Sequence, residues 1–465
     1  MNVLIIIYLI LFAIVGRLNL KLAVLLLILT IPSYLIRLSI FGLPSTLLEL
    51  SLLLTFANWI IKNYRYIFCR RKRAETKKVP YPFGWEIILI LVIALISTFV
   101  GGLDLPALGI FRAYFLEPIF LYILILNTIK GEKGIKQIIN ALCFSVLIIS
   151  IIAIWQKITG QFIFNEFWAN IENRRVVSIF NYPNALALFI GPIIPLIIGS
   201  FLWRLKEKGG IKTFLNQLFL FITALSGILA IYFAKSKGAL TAIFLAIIIS
   251  IFILIKRKIK IIILILFLLA VPSLIYYQKD WINLKLSSSL SWQIRQVQWQ
   301  ETKKMLQDGN ILWGAGLNNY QEKIEPYHQE GFFFNKNADP KFRLKVVFGE
   351  DQNYRDERWQ PLEIYLYPHN IFLNFWSEIG LIGALLFTFV IIKFLFLSLQ
   401  YYFKEKNNKN KYLGLALGAS MLVIIIHGLV DVPYFKNDLA SLFWIIISIL
   451  AILRIKNNAP KLWKK

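Results

Sequence analysis

Apolar residues fill most of this chain in long runs, separated by short polar segments. The runs fall near 3–16, 20–40, 45–61, 83–101, 107–128, 138–156, 183–203, 214–233, 238–255, 260–278, 370–396, 412–430 and 438–453. Most reach the roughly 17–25 residues that carry a helix across a bilayer. The first is short and need not span. The pattern predicts an all-α, polytopic membrane protein with about 12–13 transmembrane helices. VLIIIYLILFAIVG (3–16) lacks a basic n-region and an A-x-A site, so it reads as retained rather than cleaved.

One stretch breaks the pattern. Residues 279–369 are polar and aromatic, and they divide the chain into helices over 1–278, this loop, and helices with a basic tail over 370–465. Loops beyond about 12–15 residues are usually functional or disordered. The Trp, Tyr and Phe content here argues for a folded, membrane-hugging segment. SWQIRQVQWQETKKML (291–306) reads as an amphipathic helix with Ser291 as N-cap. Trp292, Arg295, Trp299 and Leu306 share its face, which suits a helix lying along the headgroup surface. WGAGLNNY (313–320) reads as a tight turn.

Composition fits a membrane protein: 58% of the 465 residues are hydrophobic and the mean hydropathy is +0.66. The net charge of +26 would suggest nucleic acid in a soluble protein. Here the cations sit in short loops, at 62–78, 130–136, 204–212, 256–260, 404–411 and 454–465. These fall on alternate sides of successive spans, so one orientation puts them all in the cytoplasm. The opposite face then receives 97–107, 157–182, 234–238, 279–369 and 431–437. The long loop holds 12 acidic and 12 basic residues and is near neutral. Cys69 and Cys143 lie in unlike settings and suggest neither a disulfide nor a thiolate site.

Chemistry-bearing residues gather at that outer face. His369 precedes Asn370 at the start of a span, where an imidazole can act as a general base. The plainer alternative is that it only caps the helix. Asn370, Asn374 and Glu378 share a helix face, and an ionisable residue within a span is a functional candidate unless it serves a structural hydrogen bond. Arg174, Arg175, Lys235, Lys237 and Arg295 break the charge sorting, since the outer face should be poor in cations. An anionic ligand would explain them; scattered surface charge is the alternative. Arg295 and Trp299 form an i, i+4 pair, and the guanidinium fork suits phosphate oxygens. His427 and Asp431 lie where another span meets the same face. No metal-ligand spacing and no dinucleotide motif is present.

Together these pieces resemble the O-antigen ligase and O-antigen polymerase superfamily of bacterial membrane glycan transferases. The matching residues are Arg295 and Trp299, then Gly314, Gly316 and Tyr320, then His369, Asn370, Leu373, Glu378, Gly380 and Gly383. Phe180, Pro183 and Asn184, the Ser236–Lys237–Gly238 turn, and His427 with Asp431 complete the set. The resemblance covers roughly 172–450. It implies a GT-C-like helical fold in the bacterial cytoplasmic membrane, with the long loop periplasmic or extracellular. It implies transfer of a glycan from a polyprenyl diphosphate carrier to an acceptor hydroxyl, by an inverting route without metal or other cofactor. The acceptor would be a glycan, a lipid or a protein. Carried over by position, Arg174, Arg175, Lys237 and Arg295 would hold the diphosphate. His369 would orient or deprotonate the acceptor, supported by Trp299, Asn370, Glu378 and Asp431. Lys237 stands where Arg is common, and 330–365 is a longer insertion than usual.

Within this reading, ligase, polymerase and protein O-oligosaccharyltransferase stay open. A flippase for such lipids is a second class; it would spread polar residues through several spans to the midplane. Here they crowd at the outer ends. A non-catalytic envelope scaffold is a third, and it would tolerate loss of His369 and Arg295.

Overall fold

A computed structural model describes residues 3–40, 42–68, 81–205, 210–263, 277–278, 289–337, 339, 341–349, 351–405 and 408–458. Its helices are α1 (Val3–Leu18), α2 (Leu20–Leu29), α3 (Leu47–Phe68), α4 (Gly84–Val100), α5 (Leu105–Thr128), α6 (Gly131–Thr159) and α7 (Pro183–Leu205). They continue with α8 (Ile211–Phe233), α9 (Lys237–Leu254), α10 (Leu290–Gln307), α11 (Ile371–Lys404), α12 (Asn408–Gly428) and α13 (Asn437–Asn458). The chain is an all-α polytopic membrane protein. Among the described residues, 8 helices are long and apolar enough to cross a membrane.

That count is lower than the expected 12–13, for three physical reasons. The run at 20–40 does not continue as one helix. α2 ends at Leu29, Pro32 enters a 3₁₀ turn, and β1 (Arg37–Ile40) pairs antiparallel with β2 (Leu43–Thr46). Gly42, with φ of +82°, makes the turn between them. α1, α2 and α4 are apolar but shorter than a full span, and α3 is less apolar. The span expected over 260–278 lies largely outside the described residues, as does Cys69.

α13 is apolar all round and buried along most of its length, as a helix at the centre of a bundle must be. It packs on α5, while α12 packs on α7, α9 and α11, and α8 lies on α6. The aromatic cluster of Phe375, Phe387, Tyr434, Phe435 and Phe443 joins α11 to the start of α13. A half-buried Glu86–Lys393 ion pair ties α4 to α11.

The long loop folds back on the bundle. α10 begins after Ser289 rather than Ser291, and it buries Gln298, Glu301, Thr302, Met305 and Leu306. Met305 and Leu306, with Ala315, Tyr320 and Ile324, form a small second core. A hairpin of β3 (Gly331–Phe333) and β4 (Trp359–Pro361) closes within the 330–365 insertion.

The WGAGLNNY segment is a turn, as expected, and it also plugs into the helices. Gly314, Gly316 and Asn318 all have positive φ. The turn meets α11 where that helix breaks, at Ile379 and Gly380. Ala315 N–H donates to Ser377 O at 2.6 Å, and Leu381 N–H, freed by the break, donates to Leu312 O at 3.1 Å. On the other side Leu317 N–H donates to Ser97 O of α4 at 3.1 Å. Glu378 accepts from Asn318 N–H at 3.0 Å. The E-x-G motif thus anchors the loop to the span. A side chain at Gly314 or Gly316 would collide with the backbone of Ser377 or Gly101.

Candidate functional site

The segments 31–46, 160–182, 234–237, 290–370 and 429–437 meet at one end of the bundle. Arg175 reaches Ala234 O, Arg295 reaches Val430 O, and Asn437 reaches Glu49. They enclose a cavity of about 640 Å³ whose walls include Arg37, Asn184, Tyr182, Tyr365, His369, Asp431 and Lys436.

His369 occupies the corner before α11. Its φ of +46° is the left-handed region, uncommon for any residue but glycine and a mark of functional strain where it occurs. Pro368 O accepts from Trp299 Nε1 at 2.8 Å, which fixes the residue before it. The Asn370 side chain caps α11 through Phe372 N–H and Leu373 N–H, at 3.0 and 3.1 Å. Its amide also donates to Leu429 O. His369 Nδ1 lies 2.9 Å from Oε1 of buried Gln298, and the Tyr365 ring meets its edge. An amide oxygen can only accept, so this contact sets the tautomer with the proton on Nδ1 and the lone pair on Nε2. Burial pulls the His369 pKa below its usual 6.5; Asp431 raises it and Arg295 lowers it further. The ring is therefore neutral near pH 7, as a base must be.

Arg295 is held by Val430 O at 2.7 Å and by its own helix at Ser291 O, 2.9 Å. Both acceptors are neutral carbonyls, and among the described residues no carboxylate lies within ion-pair distance of the guanidinium. Trp292 and Trp299 meet edge to face at 5.6 Å beside it. Asp431 accepts from Asn184 at 3.1 Å and from Val432 N–H at 2.9 Å. Arg175 stands behind Asn184, at 3.5 Å from its Oδ1. His427 packs against Gly238, where a Cβ would approach the imidazole to 2.9 Å. That contact explains why glycine follows Lys237 in the short turn.

The structure does not bring all the expected residues together. Arg174 donates to Lys157 O at 3.0 Å and Ile158 O at 3.4 Å, the end of α6, and to Ala169 O at 3.3 Å. It ties the 160–175 loop and lies off the cavity wall. Lys237 is exposed at the start of α9. Glu378 and Trp299 act as anchors of the loop and of Pro368, one step removed from the cavity. Three residues of the site escaped the sequence reading: Gln298, which contacts His369, and the wall residues Arg37 and Lys436. Gln298 is one residue from the Arg–Trp pair, and only its i+3 position from Arg295 hinted at it. Arg37 was absorbed into an apolar run, and Lys436 lay in the outer segment 431–437 without being singled out.

A larger hollow, about 920 Å³, adjoins the cavity and shares Asn181 with it. Its walls are apolar and aromatic, including Trp155, Phe162, Phe164 and Phe180, without titratable side chains. The smaller, polar cavity is therefore the one suited to chemistry.

These features define an integral membrane protein with an imidazole and unpaired cations around a cavity at one end of its helices. Residues 220–388 match the family model described as O-antigen ligase, and over this stretch the chain is similar to that superfamily. The resemblance drawn from the motifs is borne out over that stretch, and with it glycan transfer of the O-antigen ligase or polymerase type as the family's activity. Comparison with curated proteins gave no match.

Proposed function

We propose that the chain transfers a glycan from a polyprenyl diphosphate carrier to an acceptor hydroxyl, on the outer face of the bacterial cytoplasmic membrane. The observation that carries this is the convergence of a neutral, tautomer-fixed His369 and the Asn184–Asp431 pair at one cavity, with Arg295 behind its wall and close enough to act electrostatically with both His369 and Asp431. In the step, the acceptor oxygen attacks the anomeric carbon and His369 Nε2 takes its proton. The bond from that carbon to the diphosphate oxygen breaks, and the leaving group keeps the electron pair. Attack opposite the leaving group inverts the anomeric configuration. Arg295, Arg175 and Lys237 offset the developing charge, so the step needs no metal ion. Arg174 serves the same end only by shaping the loop that carries Arg175. The aromatic hollow beside Asn181 offers the prenyl tail an apolar path toward the membrane. The 330–365 insertion borders the cavity through Glu363 and Tyr365, on the side open to the acceptor.

The test is transfer by purified protein in detergent, from a carrier-linked oligosaccharide to a panel of glycan, lipid and peptide acceptors, with EDTA present. Product is expected with EDTA, and the acceptor used assigns ligase, polymerase or protein glycosylation. His369→Ala and Arg295→Ala should each cut transfer by about 10²–10⁴-fold while leaving membrane insertion intact. Normal transfer in both variants would sink the site assignment.

A further inference from the structure

Lys436 has no role in the step just described, yet it is the most conspicuous cation in the cavity wall. It lies between Asp431 and α13, half-buried, with its ammonium 4.0 Å from the centre of the Tyr182 ring. Among the described residues, no carboxylate lies within ion-pair distance of it and no side-chain hydrogen bond holds it. Burial draws its pKa down from the ordinary lysine value, while Asp438 and Asp431 act on it from longer range to hold it up. An ammonium kept in such a place without a partner is costly. Arg37, delivered to the same wall by the β1–β2 hairpin, is exposed and also lacks a side-chain partner. Thr46 and Asn437 line the same cavity and offer a hydroxyl and the amide hydrogen not donated to Glu49, whereas the Tyr34 hydroxyl is taken by Asp438. Arg295 and Arg175 are not among the residues that line this cavity.

We infer that Lys436 and Arg37 form a second oxyanion subsite, which binds a phosphate or carboxylate group of the substrate. Two unpaired cations, flanked by neutral donors and an aromatic face, suit an anionic group attached to a sugar. The group has two possible sources, the carrier diphosphate and an acidic substituent of the glycan. The inference rests on the reading of the cavity as a glycan-transfer site, but its test measures binding alone.

The full chain, purified in detergent, is titrated with inorganic pyrophosphate, with galacturonate and with galactose at constant ionic strength, and thermal unfolding is followed by intrinsic fluorescence. A saturable rise in the midpoint is expected with at least one of the anions and not with galactose. Lys436→Met should weaken that binding by about tenfold or more, and Lys436→Arg should stay close to wild type. Arg37→Ala, on an exposed hairpin, should weaken it without disturbing the fold, and serves if Lys436→Met does not accumulate. His369→Ala should bind as wild type does, so a failed transfer reading leaves this result standing. Pyrophosphate alone assigns the subsite to the carrier, and galacturonate alone assigns it to an acidic sugar. No saturable shift with either anion, or equal binding by wild type and both neutral variants, overturns the inference.

Discussion

Gln298 offers the sharpest probe of the site, because it acts on His369 through one contact. Its Oε1 lies 2.9 Å from Nδ1, and the side chain is buried. Gln298→Glu keeps the shape and places a carboxylate against the ring. An opposite charge at such range raises a histidine pKa by about 1–3 units. The direction follows from the protonation state required. In the wild type burial lowers the pKa below 6.5, so the neutral base is present above that value and lost as the pH falls through it. In Gln298→Glu the imidazolium is stabilised, so the acid limb of kcat/KM moves to higher pH by about one unit or more. Transfer by the variant should therefore fall below wild type on the acid side and recover as the pH rises. Gln298→Leu removes the acceptor instead; it should lower kcat by about 10–100-fold, as lost orienting contacts to a functional histidine do, and alkaline pH should not rescue it. An independent readout is the pH dependence of His369 carbethoxylation, followed by peptide mass spectrometry, since only the neutral ring reacts. Superimposable wild-type and Gln298→Glu profiles in both assays would refute the assigned tautomer and its role.

Two other expectations follow from the geometry. Gly380 combines a φ of 73° with a ψ of 176°, a region essentially confined to glycine, and its Cα faces the Leu312 carbonyl. Gly380→Ala should destabilise the protein by about 1–3 kcal/mol or more and loosen the WGAGLNNY turn; a lower thermal midpoint and new proteolysis near 310–320 would register it. Arg174 and Arg175 are adjacent but should separate cleanly: Arg174→Ala should lower the midpoint with little change in donor KM, whereas Arg175→Ala should raise donor KM. Equal kinetic effects would count against the distinction drawn between them.

How much of this was legible beforehand depended on whether a residue's role was local. The membrane class, the long loop, α10 and the turn at Gly314–Gly316 all follow from periodicity and turn chemistry, which neighbouring residues determine. His369, Arg295 and Asp431 were legible because charge at a span boundary is costly and therefore rare. What the pattern missed was long-range. The run at 20–40 has the hydropathy of a span, but Pro32 and Gly42 divert it, and the resulting hairpin carries Arg37 to the cavity. Glu378 looked like a candidate for chemistry because an ionisable group in a span usually is. Its partner, a backbone N–H 60 residues away, could not be inferred from spacing. Arg174 and Arg175 are indistinguishable in sequence; only the carbonyls at the end of α6 separate them.

The placement of these groups also bears on how such a site divides its labour. The matched stretch, 220–388, carries His369, Arg295 and the anchors that hold the loop against α4 and α11. Asn184, Asp431, Arg37 and Lys436 come from outside it, at the ends of other helices and on the hairpin. The first group is fixed by backbone contacts. Gly314, Gly316 and Gly380 permit those contacts at distances no side chain would allow, so that part of the site has little freedom to vary without losing its geometry. In the second group Asn184 and Asp431 hold each other, whereas Lys436 and Arg37 face the cavity without an ion pair or side-chain hydrogen bond among the described residues. Lys436 and Arg37, being unpaired, can be replaced with the smallest cost to the fold. If substrate choice is altered anywhere in this chain, physical economy puts the change on that wall rather than around His369. Exchanging Lys436 and Arg37 for neutral residues should therefore alter which glycans are transferred far more than the pH profile of transfer. Kinetics on paired neutral and acidic donors would measure this, and an unchanged preference with a shifted acid limb would contradict it.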